Sequence, residues 1–383
     1  MEIILWIIGG IILAFGLLIG IGIWMFNKNV NKEDSDYIKR FIKEKGGSKE
    51  ASLSICYNGE NWVSVNSNKK LPLASTVKII IAIEYARQAS KGMIDPNSTV
   101  GLRELNQFYV PKTDGGAHDA WLDTLSRLED FDFNNILLSE VAKGMIGFSS
   151  NANTEYLLSV LGVENVNNLL VELELHNHDD IYPIVSSIAI PTYLINNKKF
   201  TKKETIKAMK SMDMIQYRNL ALDIHNNWLQ HPLTERDKKQ ISNNINPSIE
   251  RIWSDCLPSS TSENYISIMK KLNSKTYFSQ EMHHFLDPAM EQLMENPTNQ
   301  TWLKHAGQKG GSTAFILTNS MYATDKDGNK TEIAFFSNNL TPLEKEKLSR
   351  NLNGFQLKFL KDKDFRLNIK KELEEITSSS ETC

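Results

Sequence analysis

The sequence is poor in cysteine, and its few cysteines form no recognisable motif. Cys56, Cys256 and Cys383 include no C-x-x-C pair and show no metal-ligand spacing, which excludes a cysteine-based redox or zinc site. Their odd number also argues against a disulfide framework. A single Cys56–Cys256 bridge and a pair of inert thiols both stay open as alternatives.

The sequence also lacks an excess of charge of either sign. Lys and Arg total 43 and Asp and Glu total 46, for a formal net charge of -3, so nothing in the charge predicts a nucleic-acid partner. Repeats and low-complexity tracts are missing as well. A 41% hydrophobic and 23% charged composition is that of an ordinary globular protein. A chain of 383 residues is long enough for a sizeable core in one or two domains.

One long stretch at the N-terminus carries no charge at all. Residues 3–26 are apolar or small, and as a helix they would span roughly 36 Å, enough to cross a bilayer core of about 30 Å. A cleaved signal peptide is disfavoured because the run is too long, the segment before it is only Met1-Glu2, and no cleavage site follows. The sequence therefore predicts an uncleaved transmembrane anchor over residues 1–27.

The next part of the chain predicts a linker, a hairpin and a helix. Residues 28–50 are polar and contain a Gly-Gly pair, as expected of a linker. Residues 51–67 alternate apolar and polar positions on both sides of Asn58-Gly59, a strong two-residue turn signal. Apolar residues then recur at helical spacing after Ser75. The helix is therefore expected to begin beside Ser75.

The middle of the chain is predicted to be helical. Two helical stretches flank the turn Ser149-Ser150-Asn151, a Lys- and Met-rich helix covers residues 202–230, and another helix begins after Pro258.

Strands return near the C-terminus. A second hairpin is predicted to turn at Asp327-Gly328. A capping box from Thr341 to Glu344 opens an amphipathic helix, and residues 366–383 are predicted to be a tail. Strands at both ends around a helical middle indicate an α+β architecture, with one antiparallel sheet built from both ends of the chain.

The motif S-x-x-K occurs three times, at Ser67–Lys70, Ser75–Lys78 and Ser267–Lys270. Only the second copy lies near a helix start, where spacing i,i+3 brings both side chains onto one face. A serine hydroxyl becomes a good nucleophile when a base removes its proton, and a desolvated lysine near other cations is neutral enough to do so. A helix N-terminus also supplies backbone N–H groups for an oxyanion. Taken alone, the pair is more typical of a helix cap beside a surface lysine.

Two further elements make the functional interpretation stronger. Ser149-Ser150-Asn151 lies 74 residues after Ser75, between helices, and Lys309-Gly310-Gly311-Ser312 opens a C-terminal strand. In this order the three elements follow the pattern S-x-x-K, S-x-N and K-[ST]-G.

With these motifs and the stretch MIGFSSNANTEYLL, residues from about 50 to about 362 resemble class A serine β-lactamases and small penicillin-binding proteins. The resemblance implies a β-lactamase/transpeptidase-like fold, with an antiparallel sheet flanked by helices and an all-helical subdomain. It also implies acyl-enzyme chemistry on β-lactams or D-Ala-D-Ala-like peptides. No metal and no cofactor are expected.

The resemblance assigns a role to each matching residue. Ser75 would form the acyl-enzyme, and Lys78 would take its proton. Ser149 would relay a proton to the leaving nitrogen, and Lys309 would supply positive charge beside it and beside the substrate carboxylate. Asn151 would hold the substrate amide. The remaining substrate contacts are expected along the strand after the lysine, from Gly311, Ser312 and Thr313.

Two departures from the family pattern fall within the motifs. Ser150 replaces the usual Asp of the second motif, and Gly310 replaces the usual Thr or Ser of the third, so that a hydroxyl beside the substrate carboxylate is lost. Ser312 and Thr313 are candidates to replace it. The implied oxyanion hole, the backbone N–H groups of Ser75 and Ser312, needs no particular side chain.

A third departure concerns turnover. Tyr182 precedes a proline where class A enzymes carry the Glu that activates the deacylating water, and residues 175–197 contain no Glu. The prediction is ready acylation and slow deacylation. The predicted hydrolase domain, residues 51–365, also contains a helical insert at about 195–257. Its apolar stripe is expected to pack into the core, and covering the site or binding a partner are the alternatives.

Two other functions are considered. His176-Asn177-His178 followed by Asp180 imitates an H-x-H-x-D zinc motif, and His283-His284 is a second histidine pair, but Ile181 stands where another ligand should follow. A non-catalytic penicillin-binding sensor or scaffold module would also suit an anchored domain that deacylates slowly.

The expected orientation conflicts with the flanking charges. Lys28, Lys32, Lys39 and Arg40 all follow the apolar segment, which by the positive-inside rule places the body in the cytoplasm. The implied peptidoglycan-type substrate requires an extracytoplasmic domain, and that is the placement we expect.

Overall fold

The structure, a computed structural model, describes residues 33–48, 50–128 and 131–380. The predicted transmembrane segment lies outside these residues. Among the helices within them, none combines the length and the hydropathy that a bilayer crossing requires.

A five-stranded antiparallel sheet of order β2-β1-β9-β8-β7 forms the centre of the fold. Its strands and the two short strand pairs outside it are β1 (Ala51–Tyr57), β2 (Glu60–Val65), β3 (Leu71–Pro72), β4 (Thr99–Val100), β5 (Ile136–Leu137), β6 (Ser259–Ser260), β7 (Leu303–Ser312), β8 (Leu317–Asp325) and β9 (Lys330–Ser337). The predicted hairpin turns at Asn58 and Gly59, whose φ angles of 51° and 86° suit a tight hairpin. Strand β1 pairs with β9, with Leu53 opposite Phe335, so both ends of the chain build one sheet as predicted.

Helices cover both faces of the sheet and form a separate helical region. They are α1 (Tyr37–Lys45), α2 (Lys78–Ser90), α3 (Leu102–Asn106), α4 (Ala117–Leu125), α5 (Leu138–Gly147), α6 (Asn151–Leu161), α7 (Val163–Glu172), α8 (Ile184–Ile188), α9 (Ile190–Lys198), α10 (Lys202–Ser211), α11 (Met214–Gln230), α12 (Glu235–Asn244), α13 (Pro247–Cys256), α14 (Ser262–Ser274), α15 (Gln280–Met290), α16 (Pro297–Gln300), α17 (Pro342–Lys361) and α18 (Lys363–Ser380). Helix α2 carries buried apolar side chains almost all round, as expected of a helix in the middle of a domain.

The predicted linker is wrong for its second half. Residues 37–45 form helix α1, and the side chains of Ile38, Phe41 and Ile42 are buried against the sheet. Burying side chains of this size stabilises a fold by about 1.5–3 kcal/mol each. The polar residues of the segment lie on the other side of the helix. Apolar residues at helical spacing therefore indicate a helix here, although the overall composition of the segment is polar.

The predicted C-terminal tail is also wrong over most of its length. Helix α18 follows α17 directly and buries Phe365, Ile369 and Leu373 in the same apolar layer as α1. Lys39 and Lys43 of α1 both donate hydrogen bonds to Glu372, at 2.8 and 2.6 Å, so the two terminal helices are tied to each other. These hydrogen bonds lower the pKa of Glu372 to about 2.

The predicted helix over residues 202–230 is two helices, α10 and α11. The chain breaks at Asp213, which caps α11 in a reciprocal capping box with Gln216. The insert packs as expected, because Met209 and Trp228 are buried in an apolar cluster with Tyr182 and Val185.

One further local prediction is wrong, because Lys309-Gly310-Gly311-Ser312 ends strand β7, which already begins at Leu303 and pairs with β8, instead of opening a strand. Three predictions for the helices are confirmed. Helices α5 and α6 flank Ser149, α14 follows Pro258, and Thr341 caps α17 in the predicted capping box. Cys56 and Cys256 are both free thiols, so the open question of a bridge between them is answered in favour of unpaired cysteines.

Candidate active site

Ser75 lies in a single 3-10 turn, residues 74–77, that leads directly into α2. Ala74 before it has a φ of 46°, a conformation that residues other than glycine rarely adopt. The turn is held from outside, because the carbonyl oxygen of Leu73 accepts a hydrogen bond of 2.7 Å from the hydroxyl of Thr318 on β8. Backbone strain of this kind concentrates at functional sites.

A cleft of about 540 Å³ opens beside this turn. It is bounded by the loop before α4, the turn before α6, helices α8, α13 and α17, and strands β7 and β8. All predicted site residues except Lys309 line it, namely Ser75, Lys78, Ser149, Asn151, Gly311, Ser312 and Thr313. The fold therefore brings together residues that are up to about 240 positions apart.

Lys78 is 1% exposed and lies at the floor of the cleft. Its ammonium group donates to the carbonyl oxygen of Ser149 at 2.6 Å, to the Ser149 hydroxyl at 3.3 Å and to Asn151 Oδ1 at 2.9 Å. Burial, followed by repulsion from Lys309, lowers the pKa of Lys78 well below its usual range, while Asp114 and Glu155 oppose the shift. Lowering the pKa of a buried amine increases the fraction that is neutral and can act as a base.

The hydroxyl of Ser75 forms no hydrogen bond with another described residue. Lys78 and Ser75 share the cleft, but the amine is held by Ser149 and Asn151 instead. Hydrogen bonds between catalytic groups are often long in the free enzyme and tighten when substrate binds.

Lys309 reaches the same place from strand β7. Its ammonium group donates to the Ser149 hydroxyl at 3.0 Å and to the carbonyl oxygen of Gly310 at 2.8 Å. Burial lowers the pKa of Lys309 to about 7. Ser149 therefore lies between two lysines, on a backbone with φ of 73° that turns its hydroxyl toward both.

The two glycines of the third motif differ in what surrounds them. A Cβ atom on Gly311 would lie 2.5 Å from the backbone nitrogen of Ser75, so only glycine lets the strand approach the turn this closely. A Cβ atom on Gly310 would meet nothing nearer than 3.5 Å. Glycine is therefore not sterically required at position 310, and a side chain with a hydroxyl would have space for its Cβ atom there.

Asn319 on β8 occupies the space beside Gly310, and no sequence motif pointed to it. Its Nδ2 atom would be 3.5 Å from a Cβ atom on Gly310, and its Oδ1 atom accepts a hydrogen bond of 2.7 Å from Gln356. Thr313, one predicted substitute for the hydroxyl, is 9% exposed and already accepts hydrogen bonds from Ser254 and from the backbone of Phe315. Asn319 lines the cleft and adds an amide donor to it.

Ser150 has a structural role that explains the departure at this position. It is fully buried, caps α6 through the backbone N–H of Asn153 at 3.2 Å, and lies 2.9 Å from Nδ1 of His118. Burial lowers the pKa of His118, so a neutral hydroxyl faces a neutral ring. Sequence analysis missed His118 because it follows no motif.

The side chain of Tyr182 does not line the cleft. The Tyr182 hydroxyl donates to the carbonyl oxygen of Cys256 at 2.6 Å, on the side of the helical insert. The N-terminus of α8, just after this loop, is held by the buried carboxylate of Glu155, which accepts from the backbone N–H groups of Val185 and Ser186 at 3.1 and 3.0 Å. Glu155 lies six residues after Ser149, yet no motif marked it.

Two carboxylates line the cleft, and both are engaged by backbone groups. Asp114 accepts from the N–H groups of Gly116 and His118, at 3.2 and 3.1 Å. Glu250 accepts from the N–H of Ala314 at 3.0 Å.

The other two S-x-x-K copies lie elsewhere. Lys70 pairs with Asp179 at 2.5 Å, and Lys270 donates to Asn61 at 3.2 Å. Ser67 and Ser267 border a separate surface cavity. Neither pair contributes to the cleft.

The histidines considered as zinc ligands each have a different environment. His176 is exposed, whereas the ring of His178 contacts the carbonyl oxygen of Asp179 at 2.6 Å and burial lowers its pKa to about 4. His283 contacts Asp287 at 2.9 Å within one helix. Over the described ranges, no group of three or more His, Cys, Asp or Glu side chains is arranged to hold a metal ion.

The sequence model of the beta-lactamase enzyme family matches residues 35–298. The chain belongs to this family, and the resemblance inferred from its motifs is confirmed. Beta-lactamases PSE-4 and CARB-3 of Pseudomonas aeruginosa are each 31% identical to it over 146 residues, 36% of this chain and 50% of the relative. The chain thus spans about half the length of the curated relatives it matches.

A solved beta-lactamase structure from Sphaerobacter thermophilus DSM 20745 is similar to the whole domain. It matches with a TM-score of 0.50 and 16% sequence identity, over 82% of this chain and 97% of that chain. At this identity the likeness is one of fold, and it confirms the predicted antiparallel sheet with its many helices.

Proposed function

We propose that this chain is an active-site-serine hydrolase of the β-lactamase/penicillin-binding type, which forms an acyl-enzyme at Ser75. The observation that carries the proposal is the arrangement around Ser149, whose hydroxyl receives hydrogen bonds from both Lys78 and Lys309 in the cleft that Ser75 lines. Lys78 on α2 and Lys309 on β7 both donate to this one hydroxyl, an arrangement that suits proton transfer better than it suits packing of the core.

Each residue has a step in the proposed mechanism. The neutral amine of Lys78 takes the proton of the Ser75 hydroxyl as its oxygen attacks the carbonyl carbon of a β-lactam or of a D-Ala-D-Ala-like peptide. The backbone N–H groups of Ser75 and Ser312 stabilise the oxyanion. Ser149 then relays the proton to the leaving nitrogen. The positive charge of Lys309 attracts the carboxylate of the substrate and so helps to bind it.

Substrate contacts follow from the same geometry. Asn151 accepts from Lys78 and donates from Nδ2 to the carbonyl oxygen of Thr113 at 3.3 Å, a weak bond that a substrate amide can replace. Gly311 and Ser312 form the end of strand β7, and Thr313 follows it directly, at the sheet edge where an extended substrate would add a strand.

Slow deacylation is part of the proposal. The side chain of Tyr182 leads away from the cleft, and the carboxylates of Asp114 and Glu250 are held by backbone amides. The acyl-enzyme is therefore expected to accumulate, as in a D,D-peptidase rather than in a resistance enzyme. A non-catalytic penicillin-binding sensor is the second candidate, favoured by the same features. Turnover of a D-Ala-D-Ala peptide, which the proposed hydrolase should show and a sensor should not, separates the two.

Labelling with a fluorescent penicillin tests the proposal. The wild-type chain should label covalently, and Ser75→Ala should abolish the label. Ser267→Ala is the matched control, because it removes the serine of another S-x-x-K copy, and it should label like the wild type. Equal labelling of Ser75→Ala, or no labelling of the wild type, would overturn the proposal.

We further propose that residues 1–27 anchor the chain in the cell membrane with the hydrolase domain outside. The proposal is supported by the uncharged N-terminal segment and by the peptide-type substrate of the family. Full-length chain should sediment with membranes and be digested by protease added to intact cells, whereas a chain starting at residue 28 should stay in the supernatant. Protection of the full-length chain from protease would contradict the orientation.

A further inference from the structure

A second cavity of about 100 Å³, here called the side pocket, lies beside the cleft. Its rim is common to both cavities, because Lys112, Thr113, Glu250 and Trp253 line both. Its inner wall is apolar and is formed by Ile188, Pro191, Met209, Ile245 and Ile249. Three of these residues, Met209, Ile245 and Ile249, belong to the helical insert.

The side pocket opens at the end of the cleft where Thr113 lies, and not at the end where Asn319 and Lys345 lie. Thr113, on its rim, accepts the hydrogen bond of Asn151, the residue proposed to hold the substrate amide. Asn319 and Lys345, which line the cleft beyond Gly310, have no part in the side pocket. The side pocket is therefore on the acyl side of the reacting carbonyl group, away from the carboxylate of the substrate.

The walls of the side pocket are held in place before any ligand arrives. The indole N–H of Trp253 donates to the Ser187 hydroxyl at 2.9 Å, which fixes the ring between cleft and side pocket. Glu250 fixes helix α13 to the turn after β7 through the backbone N–H of Ala314, at 3.0 Å. A preformed apolar cavity with a polar rim is the usual form of a small-molecule subsite.

We infer that the side pocket binds a compact aliphatic substituent, of isobutyl size, on the acyl side of the substrate. The inference rests on the proposed acyl-enzyme function and names the substrate class that this function would take. A cavity of about 150 Å³ lined by apolar side chains binds benzene, so this smaller one suits a branched aliphatic group rather than an aromatic ring. Lys112 and Glu250 place opposite charges at the rim, which suits a neutral amide better than an ion.

Acylation rates with three derivatives of 6-aminopenicillanic acid test the inference. The N-isovaleryl derivative should acylate the full chain about tenfold or more faster than the N-acetyl and N-diphenylacetyl derivatives. It has three more carbons than the N-acetyl derivative, and a single added carbon in an apolar pocket already contributes about tenfold or more. Ile245→Trp, which fills the side pocket, should remove this preference, so that the N-isovaleryl and N-acetyl derivatives acylate at rates within about threefold of each other. Ile215→Trp is the matched control on an exposed position of the insert, and it should behave like the wild type.

An enlarging variant keeps the inference testable if Ile245→Trp does not fold. Met209 separates the side pocket from a third cavity, so Met209→Ala should move the preference toward the N-phenylacetyl derivative. Acylation without any preference for the N-isovaleryl group, or a preference that survives Ile245→Trp, would overturn the inference and leave the proposed function intact. Failure of all derivatives to acylate the wild type would overturn both.

Discussion

The backbone of Gly311 lies so close to Ser75 that a Cβ atom at position 311 would be 2.5 Å from the Ser75 backbone nitrogen. Strand β7 thus fixes the position of the turn that carries Ser75, and it does so through a residue without a side chain. The same approach places the N–H of Ser75 beside the end of β7, where the proposed oxyanion hole requires it.

The first prediction concerns these two glycines. Gly311→Ala should lower the acylation rate by about 100-fold or more, because the strand and the Ser75 turn must move apart and a displaced oxyanion donor costs that much. Gly310→Ala, its neighbour, meets only ordinary contacts at 3.5 Å and should stay within about threefold of the wild type. Stopped-flow acylation with a chromogenic cephalosporin measures both, and equal effects would contradict the assignment.

The second prediction is a falling limb in the pH profile. Acylation needs Lys78 neutral and Lys309 charged, so the rate should rise as Lys78 loses its proton and fall as Lys309 loses its own. Since burial lowers the pKa of Lys309 to about 7, the fall should begin near that pH. In Lys309→Arg the fall should disappear, because arginine stays protonated throughout this range.

The control for this profile is Lys345→Arg, the same substitution at a half-exposed lysine of the cleft. It should leave the falling limb where it is in the wild type. A limb that moves in Lys345→Arg, or that persists in Lys309→Arg, would assign the titration to another group.

The third prediction concerns stability. Ser150→Ala removes the cap of α6 and leaves the ring of His118 without its hydroxyl partner, so the free energy of unfolding should fall by about 1–2 kcal/mol. Ser159→Ala, on the same helix, removes only a hydroxyl that bonds the carbonyl oxygen of Tyr156, and should change it by less than about 0.5 kcal/mol. Urea unfolding measures both variants, and equal values would show that Ser150 is not a cap of this importance.

The fourth prediction is that a glutamate at position 182 does not create turnover. The Tyr182 side chain leads to the carbonyl oxygen of Cys256, so Tyr182→Glu should leave the deacylation rate within about threefold and lower the melting temperature. Tyr182→Phe removes only the hydrogen bond and should cost about 1–2 kcal/mol of stability, again without faster deacylation. A 100-fold gain in turnover for Tyr182→Glu would mean that the loop places this side chain in the cleft.

The two hairpins, their turns and the three motifs were predictable from the sequence, because each is set by local rules. Strand β7 before Lys309 was not predicted. Asn58-Gly59 specifies its hairpin and Thr341 its helix through contacts within four residues. Helix α1 and most of α18 were missed, because their apolar residues can be recognised as buried only once the sheet face that they cover is known. From their polar composition alone, both segments were predicted to be solvent-exposed, as a linker and a tail.

The site was predictable as a set of motifs but not as a set of contacts. Motif spacing could not show that Lys78 would bind Ser149 and Asn151, or that Asn319 would fill the space beside Gly310, because these contacts join elements far apart in the sequence. Glu155 was missed for the same reason, since its partners at the start of α8 lie 30 residues away or more.

The central claim, an acyl-enzyme at Ser75, is tested most directly by intact-mass measurement after exposure to benzylpenicillin, followed by peptide mapping and a time course. The account predicts one adduct per chain, located on the peptide that contains Ser75, absent from Ser75→Ala and lost only slowly. An adduct on any other peptide, or a chain that turns over benzylpenicillin without accumulating one, would contradict it.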